Sequence, residues 1–288
     1  MNDPVADLPT SEQLPSVTVR IRTKGFADQT WTGVGTGFVW SEALAGGQSA
    51  LFLVTNRHVV KDATMIGLTL QGTGTDGSRA LGPGQDVETQ LGEMNLIYHP
   101  DPEIDLALLA LGPITARMHA AGFKPHFTSV ARGIIPTDEQ IRELSAAHPV
   151  LIVGYPNGVY DQANNLPVIR RGVTAIPPWI NYQGGKDLLL DISVFGGSSG
   201  SPVFVLDEGL LIGRAGVNLG GSRLYFMGVL KAGHYRTETG AIVQMPAPTA
   251  MVPVARVQQM INLAVCVKAE KVVELVDEAI RTFGLKST

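Results

Sequence analysis

Residues 194–204 read VFGGSSGSPVF, which places three serines among glycines between two apolar pairs. Two motifs overlap in this stretch, and they assign a nucleophilic serine to different positions. The segment GGSSG fits the G-x-S-x-G nucleophile elbow, a strand-to-helix turn that would expose Ser198. The segment GSSGSP fits G-x-S-G-S-P, in which Ser199 would be the nucleophile. A glycine-rich turn without chemistry is the third interpretation.

The residues after the serines argue against the elbow. An elbow requires a helix directly after the nucleophile and a catalytic histidine later in the chain. Pro202 and the segment VFVLDEGLLIG instead predict a strand, a turn and a second strand, and the only histidine that follows is His234. The sequence therefore favours Ser199 on a β scaffold.

Short apolar or alternating runs bounded by Gly, Pro, Asn or Asp recur along the chain, as in a sandwich or barrel. The first series comprises residues 16–22, 34–40, 49–55, 94–99 and 105–111. The second comprises residues 149–155, 170–176, 187–195, 202–206, 225–233 and 262–267. This pattern predicts an all-β protein with two β lobes in tandem.

Helical patterns are confined to two places. Thr137 and Gln140 have the spacing of a capping box and predict one short helix. A C-terminal helix that ends at Gly284 has an apolar face formed by Val272, Val276, Ala279, Ile280 and Phe283. The predicted divisions are an extension (1–15), a first lobe (16–112), a crossing with a short helix (113–148), a second lobe (149–267) and a C-terminal helix (268–288).

Composition and charge exclude several classes of function. The 22 basic and 26 acidic residues give a net charge of −4, which does not support a nucleic-acid or anionic-membrane partner. No HExxH or CxxC pattern occurs, so we expect neither a metal nor a cofactor. The single cysteine, Cys266, cannot form an internal disulfide, and neither a secretion signal nor an 18-residue apolar run is found. We expect a cytoplasmic protein, with the oligomeric state left open.

A histidine and an aspartate precede Ser199 at strand ends. His58 follows the apolar run LFLVT, and Asp105 opens the run DLALLAL, 47 residues after His58 and 94 before Ser199. A serine hydroxyl needs an adjacent base to act as a nucleophile, and a neutral histidine can take its proton and return it. The aspartate would orient the ring and stabilise its charged form. We therefore predict catalytic roles for His58, Asp105 and Ser199.

Four segments, within roughly residues 34–283, resemble the trypsin-like (chymotrypsin-fold) serine proteases. GTGFVW looks like an early barrel strand of bacterial members, and GSSGSPVF is similar to the nucleophile loop of the glutamyl endopeptidase group. DISVFGGSSG resembles the corresponding loop of the HtrA/Deg proteases, and NLAVCVKAEKVVEL their closing strand and helix. The resemblance implies two tandem six-stranded antiparallel barrels and a serine endopeptidase that cleaves proteins or peptides between them. It also implies an oxyanion hole made by the N–H groups of Gly197 and Ser199.

The resemblance also implies a substrate pocket and shows three departures. The pocket walls would be Ile192, Ser193, Val194, Leu230, Lys231, Ala232 and Gly233. Lys231 replaces a serine that supports the catalytic aspartate in trypsin, and Leu230 replaces a histidine of the glutamyl endopeptidases. Ser198 replaces the aspartate that pairs with a newly cut N-terminal amine in digestive members. We therefore expect the chain to be active as translated, with its nucleophile loop held by other contacts.

Two other functions fit the same residues. The chain could be a catalytically silent module that binds a peptide or partner in a protease-like cleft. It could also be an esterase that uses the same three residues on small acyl substrates. Labelling with a fluorophosphonate distinguishes the silent binding module from an enzyme. Comparison of peptide with ester turnover distinguishes the esterase from an endopeptidase.

Overall fold

The first sheet is formed by seven antiparallel strands in this computed structural model, which describes residues 10–28, 30–214, 216–241 and 254–287. Residues 1–9 of the predicted extension lie outside the described residues. The strands are β1 (Thr18–Lys24), β2 (Gly33–Leu44), β3 (Gln48–Thr55), β4 (Met65–Leu70), β5 (Gln85–Gln90), β6 (Ile97–Tyr98) and β7 (Ala107–Ala110). Their spatial order is β5-β4-β1-β2-β3-β7-β6.

This first sheet differs from the expected six-stranded barrel, because it has seven strands and its order ends at β5 and β6. The sequence analysis missed β4 and β5. The β4 sequence MIGLTL contains a glycine, and the β5 sequence QDVETQ is polar apart from one valine. The predicted strand at residues 94–99 shrinks to the two residues of β6, since Met94 belongs to a 3-10 turn.

The second sheet is a closed six-stranded antiparallel barrel, as expected. Its strands are β8 (Pro149–Gly154), β9 (Val168–Thr174), β10 (Asp187–Asp191), β11 (Pro202–Gly213), β12 (Gly216–Ala241) and β13 (Val254–Lys268). The order is β10-β13-β12-β11-β8-β9, and pairing of β9 with β10 completes the ring. Strands β11, β12 and β13 are longer than predicted, because they continue to pair with one another beyond the barrel.

Five helices accompany the sheets in the described part of the chain. They are α1 (Thr10–Gln13), α2 (Arg57–Val60), α3 (Gly112–Ala120), α4 (Asp138–Glu143) and α5 (Ala269–Thr282). The capping box before α4 is confirmed, since Thr137 and Gln140 exchange both hydrogen bonds. Gly284 lies just beyond α5 with a φ of +63°, as the prediction of a helix end there requires. No described helix is long and apolar enough to cross a membrane.

Three apolar clusters make up the core. One fills the first sheet around Ile21, and a second fills the barrel around Leu190. The third lies between the two sheets, where Phe38 of β2 packs against Phe226 of β12 with their ring centroids 5.2 Å apart. The buried face of α5, including Leu275, belongs to this third cluster. This third cluster packs the two sheets against each other. The predicted domain boundaries remain predictions.

Candidate active site

The first sheet brings His58 and Asp105 together at one edge. Strand β3 ends at Thr55, and His58 follows on the short helix α2. Asp105 lies just before β7, which pairs with β3 so that Thr55 is opposite Ala107. The end of one strand and the start of its antiparallel neighbour are adjacent. The two side chains therefore meet although they are distant in sequence.

Asp105 accepts two hydrogen bonds from the same histidine. His58 Nδ1 lies 2.6 Å from Asp105 Oδ2, and the backbone N–H of His58 donates to Asp105 Oδ1 at 2.9 Å. A carboxylate at Nδ1 favours the tautomer with its proton on that nitrogen. This tautomer leaves the lone pair of Nε2 free to accept a proton. The ring is accessible, with 43% of the His58 side chain exposed.

Asn56 provides further support that sequence reasoning missed. Its Nδ2 donates to the backbone carbonyl of Asp105 at 2.8 Å, and the residue is fully buried. The only sequence feature that could have indicated this role is that Asn56 is a polar residue directly after an apolar strand. Asp105 is thus held by hydrogen bonds from Asn56 and from the backbone and ring of His58.

The three serines differ in exposure. Ser198 and Ser201 are buried, with 2% and 1% of their surfaces exposed, whereas Ser199 is partly exposed. Ser199 precedes the strand β11, so the turn does not lead into the helix that an elbow requires. The Ser199 hydroxyl donates to the carbonyl of Lys231 at 3.4 Å. Among the described hydrogen bonds none joins Ser199 to His58.

A cavity of about 340 Å³ borders all three predicted catalytic residues. Its other walls are Val194, Phe195, Gly196, Ser198, Leu230, Lys231 and Gly233. A second cavity, of about 380 Å³, shares His58 and Ser199 and extends past Lys24 and Val34 of the first sheet. Both cavities therefore border His58 and Ser199, one with walls from the barrel and the other with walls from the first sheet.

The predicted pocket residues take different positions. Val194, Leu230, Lys231 and Gly233 line the first cavity. Ile192 does not line it, because its side chain is buried in the barrel core. The Ser193 hydroxyl donates instead to Asn262 Oδ1 at 2.9 Å and is not among the lining residues. The side chain of Ala232 lies outside the described part of the structure.

Phe195 is a wall of the cavity that sequence reasoning did not single out. Its ring is 39% exposed, and the guanidinium of Arg170 lies 5.1 Å from the ring centroid. The sequence feature that could have indicated this role is an aromatic residue directly before two glycines. Lys231 and the stacked Arg170 add positive charge around the cavity. Within the described residues, no three His, Cys, Asp or Glu side chains cluster as a metal site would require.

Three backbone N–H groups in the loop of residues 195–201 have no acceptor among the described hydrogen bonds: those of Gly196, Gly197 and Ser199. The N–H of Ser198 donates to Phe195, and that of Gly200 donates to Leu230. The free groups of Gly197 and Ser199 are the two that the sequence predicts for an oxyanion hole. N–H groups beside a nucleophile can stabilise an oxyanion.

Two sheets packed together, with a site between them and a closing helix, define a chymotrypsin-like fold. The chain belongs to the family described as the trypsin-like peptidase domain, whose model matches residues 35–213. The comparison with curated proteins gives no match.

Two solved structures are among those similar to this chain. One is an inactive serine-to-alanine mutant of Rv3671c from M. tuberculosis H37Rv, with 17% identity, a TM-score of 0.45, and coverage of 98% of this chain and 92% of that chain. The other is the MamO protease domain from Magnetospirillum magneticum in its apo form. It has 15% identity, a TM-score of 0.43, and coverage of 91% of this chain and 97% of that chain.

Proposed function

We propose that the protein is a serine endopeptidase with Ser199 as nucleophile, His58 as general base and Asp105 as the residue that orients His58. The observation that carries this proposal is the 2.6 Å contact between His58 Nδ1 and Asp105 Oδ2 beside the cavity that Ser199 also borders. Membership of a peptidase family supports protein or peptide substrates.

The proposed reaction has two halves. His58 Nε2 takes the proton of Ser199 as Oγ attacks the scissile carbonyl, and the N–H groups of Gly197 and Ser199 stabilise the oxyanion. The C–N bond then breaks, and His58 gives its proton to the leaving amine, which leaves an acyl group on Ser199. In the second half, water attacks this acyl group while His58 again accepts a proton. The C–O bond to Ser199 then breaks, His58 returns the proton to Oγ, and the acid is released.

One observation keeps the binding module as a second candidate. The Ser199 hydroxyl donates to the Lys231 carbonyl rather than to His58. A catalytic hydrogen bond is often long or misaligned before substrate binds, so a rotation of the Ser199 side chain would be sufficient for activity. In a silent binding module, the hydroxyl would instead remain on Lys231.

Covalent labelling tests the proposal. We expect a fluorophosphonate to add to the wild-type protein and to Ser201→Ala. In the wild-type protein the Ser201 hydroxyl has no hydrogen-bond partner among the described atoms, so its removal should not disturb the site. Ser198→Ala should also label, while Ser199→Ala should not label and should fold normally. Intact-mass spectrometry and peptide mapping locate the adduct. No labelling of the wild-type protein, or loss of labelling in Ser198→Ala alone with an unchanged melting curve, would contradict the assignment.

Substrate type and cellular location remain parts of the proposal. Turnover of peptides against matched esters separates the endopeptidase from an esterase. A cytoplasmic location is supported by the single cysteine, Cys266, which is buried in the barrel and unpaired.

A further inference from the structure

Thr36, near the start of β2, contacts two loops of the second sheet. The residue is fully buried. Its backbone N–H donates to the carbonyl of Ser199 at 2.9 Å, and its hydroxyl donates to the carbonyl of Gly197 at 2.8 Å. The same hydroxyl accepts a hydrogen bond from the backbone N–H of Tyr155 at 3.1 Å. One side chain of the first sheet thus connects the nucleophile loop to the segment that follows β8.

All four carbonyls of residues 196–199 have donors. Gly196 accepts from the N–H of Asn157, and Ser198 accepts from Ser201 at 3.1 Å. Gly197 and Ser199 accept from the side chain and the backbone of Thr36. Two of the four donors to these carbonyls therefore belong to one residue.

These carbonyl contacts determine where the free N–H groups point. In a trans peptide the C=O and the N–H point in opposite directions. The Gly196 carbonyl faces Asn157, so the N–H of Gly197 points away from Asn157. The Ser198 carbonyl faces Ser201, so the N–H of Ser199 points away from the N–H of Ser201. The peptide between Gly197 and Ser198 links these two units, and its carbonyl is held by the Thr36 hydroxyl. A rotation of this peptide would move both free N–H groups.

The backbone around this contact is restrained by close packing. Gly197 has a φ of +83°, and Gly200 has a φ of +87° with a neighbouring Thr36 carbonyl where a Cβ would lie. Ser198 is buried, and its hydroxyl accepts from the N–H of Phe195 at 3.3 Å. Ser198 is neutral, so its side chain cannot form an ion pair with a chain terminus.

We propose that Thr36 is the positioning residue of the oxyanion hole, and that its hydroxyl, supplied by the first sheet, holds the Gly197–Ser198 peptide in the orientation that transition-state binding requires. This inference rests on the proposed function. It makes the oxyanion hole depend on the docking of the first sheet against the barrel rather than on a processed N-terminus.

The test compares variants of one hydroxyl group. Thr36→Val removes the hydroxyl while keeping the shape and the backbone N–H, and Thr36→Ser keeps the hydroxyl. The matched control is Thr174→Val. The buried Thr174 hydroxyl also accepts from a backbone N–H, at 2.9 Å, and donates to a carbonyl, at 2.8 Å, but Thr174 lies in β9 and not beside Ser199.

Labelling with a fluorophosphonate at several concentrations separates the maximal inactivation rate (kinact) from the apparent affinity (KI), and melting curves report stability.

We expect Thr36→Val to lower kinact by roughly 10- to 100-fold, somewhat less than removal of an oxyanion donor outright, with KI unchanged. Thr36→Ser should restore kinact, and Thr174→Val should lower the melting temperature with kinact unchanged. Wild-type kinact in Thr36→Val, an equal loss in Thr174→Val, or a change confined to KI overturns the inference. A wild-type protein that does not label overturns the proposed function itself, which is a separate outcome.

If Thr36→Val does not fold, Thr36→Ser and Thr36→Cys provide the same comparison. A thiol is a weak donor compared with a hydroxyl. The inference then requires a lower kinact for the cysteine variant at an unchanged KI, and equal kinact values for the two variants overturn it.

Discussion

At the scale of single residues, the acid of the proposed triad is held through its backbone as well as its carboxylate. Asn56 is buried and anchors the carbonyl of Asp105, while His58 occupies both carboxylate oxygens. A position with one strong donor and no second support would let the aspartate rotate away from the ring. The buried amide therefore determines how well His58 is oriented.

We expect Asn56→Ala to lower kcat by roughly 10- to 100-fold, since a small misplacement of a positioning group can cost that much. It should also lower the free energy of unfolding by about 1 kcal/mol, because the partly buried hydrogen bond to the Asp105 carbonyl is lost. The control is Asn164→Ala, which removes an exposed amide hydrogen bond to Asp161 of the same 2.8 Å length. Peptide turnover and urea unfolding measure both effects. Equal kcat values for the two variants would contradict the role of Asn56.

At the scale of elements, sequence patterns identified strands with consecutive or alternating apolar residues. They missed β4, which contains a glycine, and β5, which is polar apart from one valine. The runs that became β3, β8 and β10 were found because their apolar residues are consecutive. Helix α3 was missed because only Ile114 and Met118 of its nine residues are buried. The ribbon ends of β11 to β13 pair with one another, so local sequence does not show where they stop.

The C-terminal helix is the element with the clearest energetic prediction. Leu275 of α5 is fully buried in the cluster between the sheets. We expect Leu275→Ala to lower the free energy of unfolding by about 2–5 kcal/mol, the range for a buried leucine that leaves a cavity. Thr282→Ala, on the exposed side of the same helix, should change it by less than about 0.5 kcal/mol. Chemical denaturation distinguishes these values, and similar losses in both variants would show that α5 does not anchor the sheets.

At the scale of the whole molecule, His58 and Asp105 were predictable because each lies at the end of an apolar run in an order shared with a known family. Thr36, Asn56 and Phe195 were not predictable as site residues. Their roles depend on contacts between segments distant in sequence, such as the 161 residues that separate Thr36 from Gly197. The order of motifs in the chain indicates which groups to propose as catalytic, whereas the residues that support those groups depend on tertiary packing.

Two buried histidines make the stability of the whole fold depend on pH. His99 and His148 are 3% and 0% exposed, and burial lowers the pKa of both rings despite nearby Glu274 and Asp207. The unfolded chain therefore binds protons more readily below about pH 6.5. We expect full stability above that pH and a loss toward pH 5 of at most about 1.4 kcal/mol per pH unit for each histidine.

Urea unfolding at pH 7.5, 6.5 and 5.5 measures this slope. His148→Gln should flatten the slope, because glutamine does not titrate. His119→Gln, at an exposed position, should leave it unchanged. A slope that is identical in wild type and His148→Gln would show that proton uptake on unfolding occurs elsewhere.

The aromatic contact between Phe38 and Phe226 also has a consequence for the working lifetime of the protein. The first sheet carries His58 and Asp105 and the second carries Ser199, so the three residues of the proposed triad stay together only while the two sheets remain packed. Partial opening of a protein requires less free energy than complete unfolding. A molecule whose sheets had separated slightly would keep its secondary structure but would lose the proposed catalytic arrangement. Under mild stress, the population able to react would therefore decline earlier than the population that is folded.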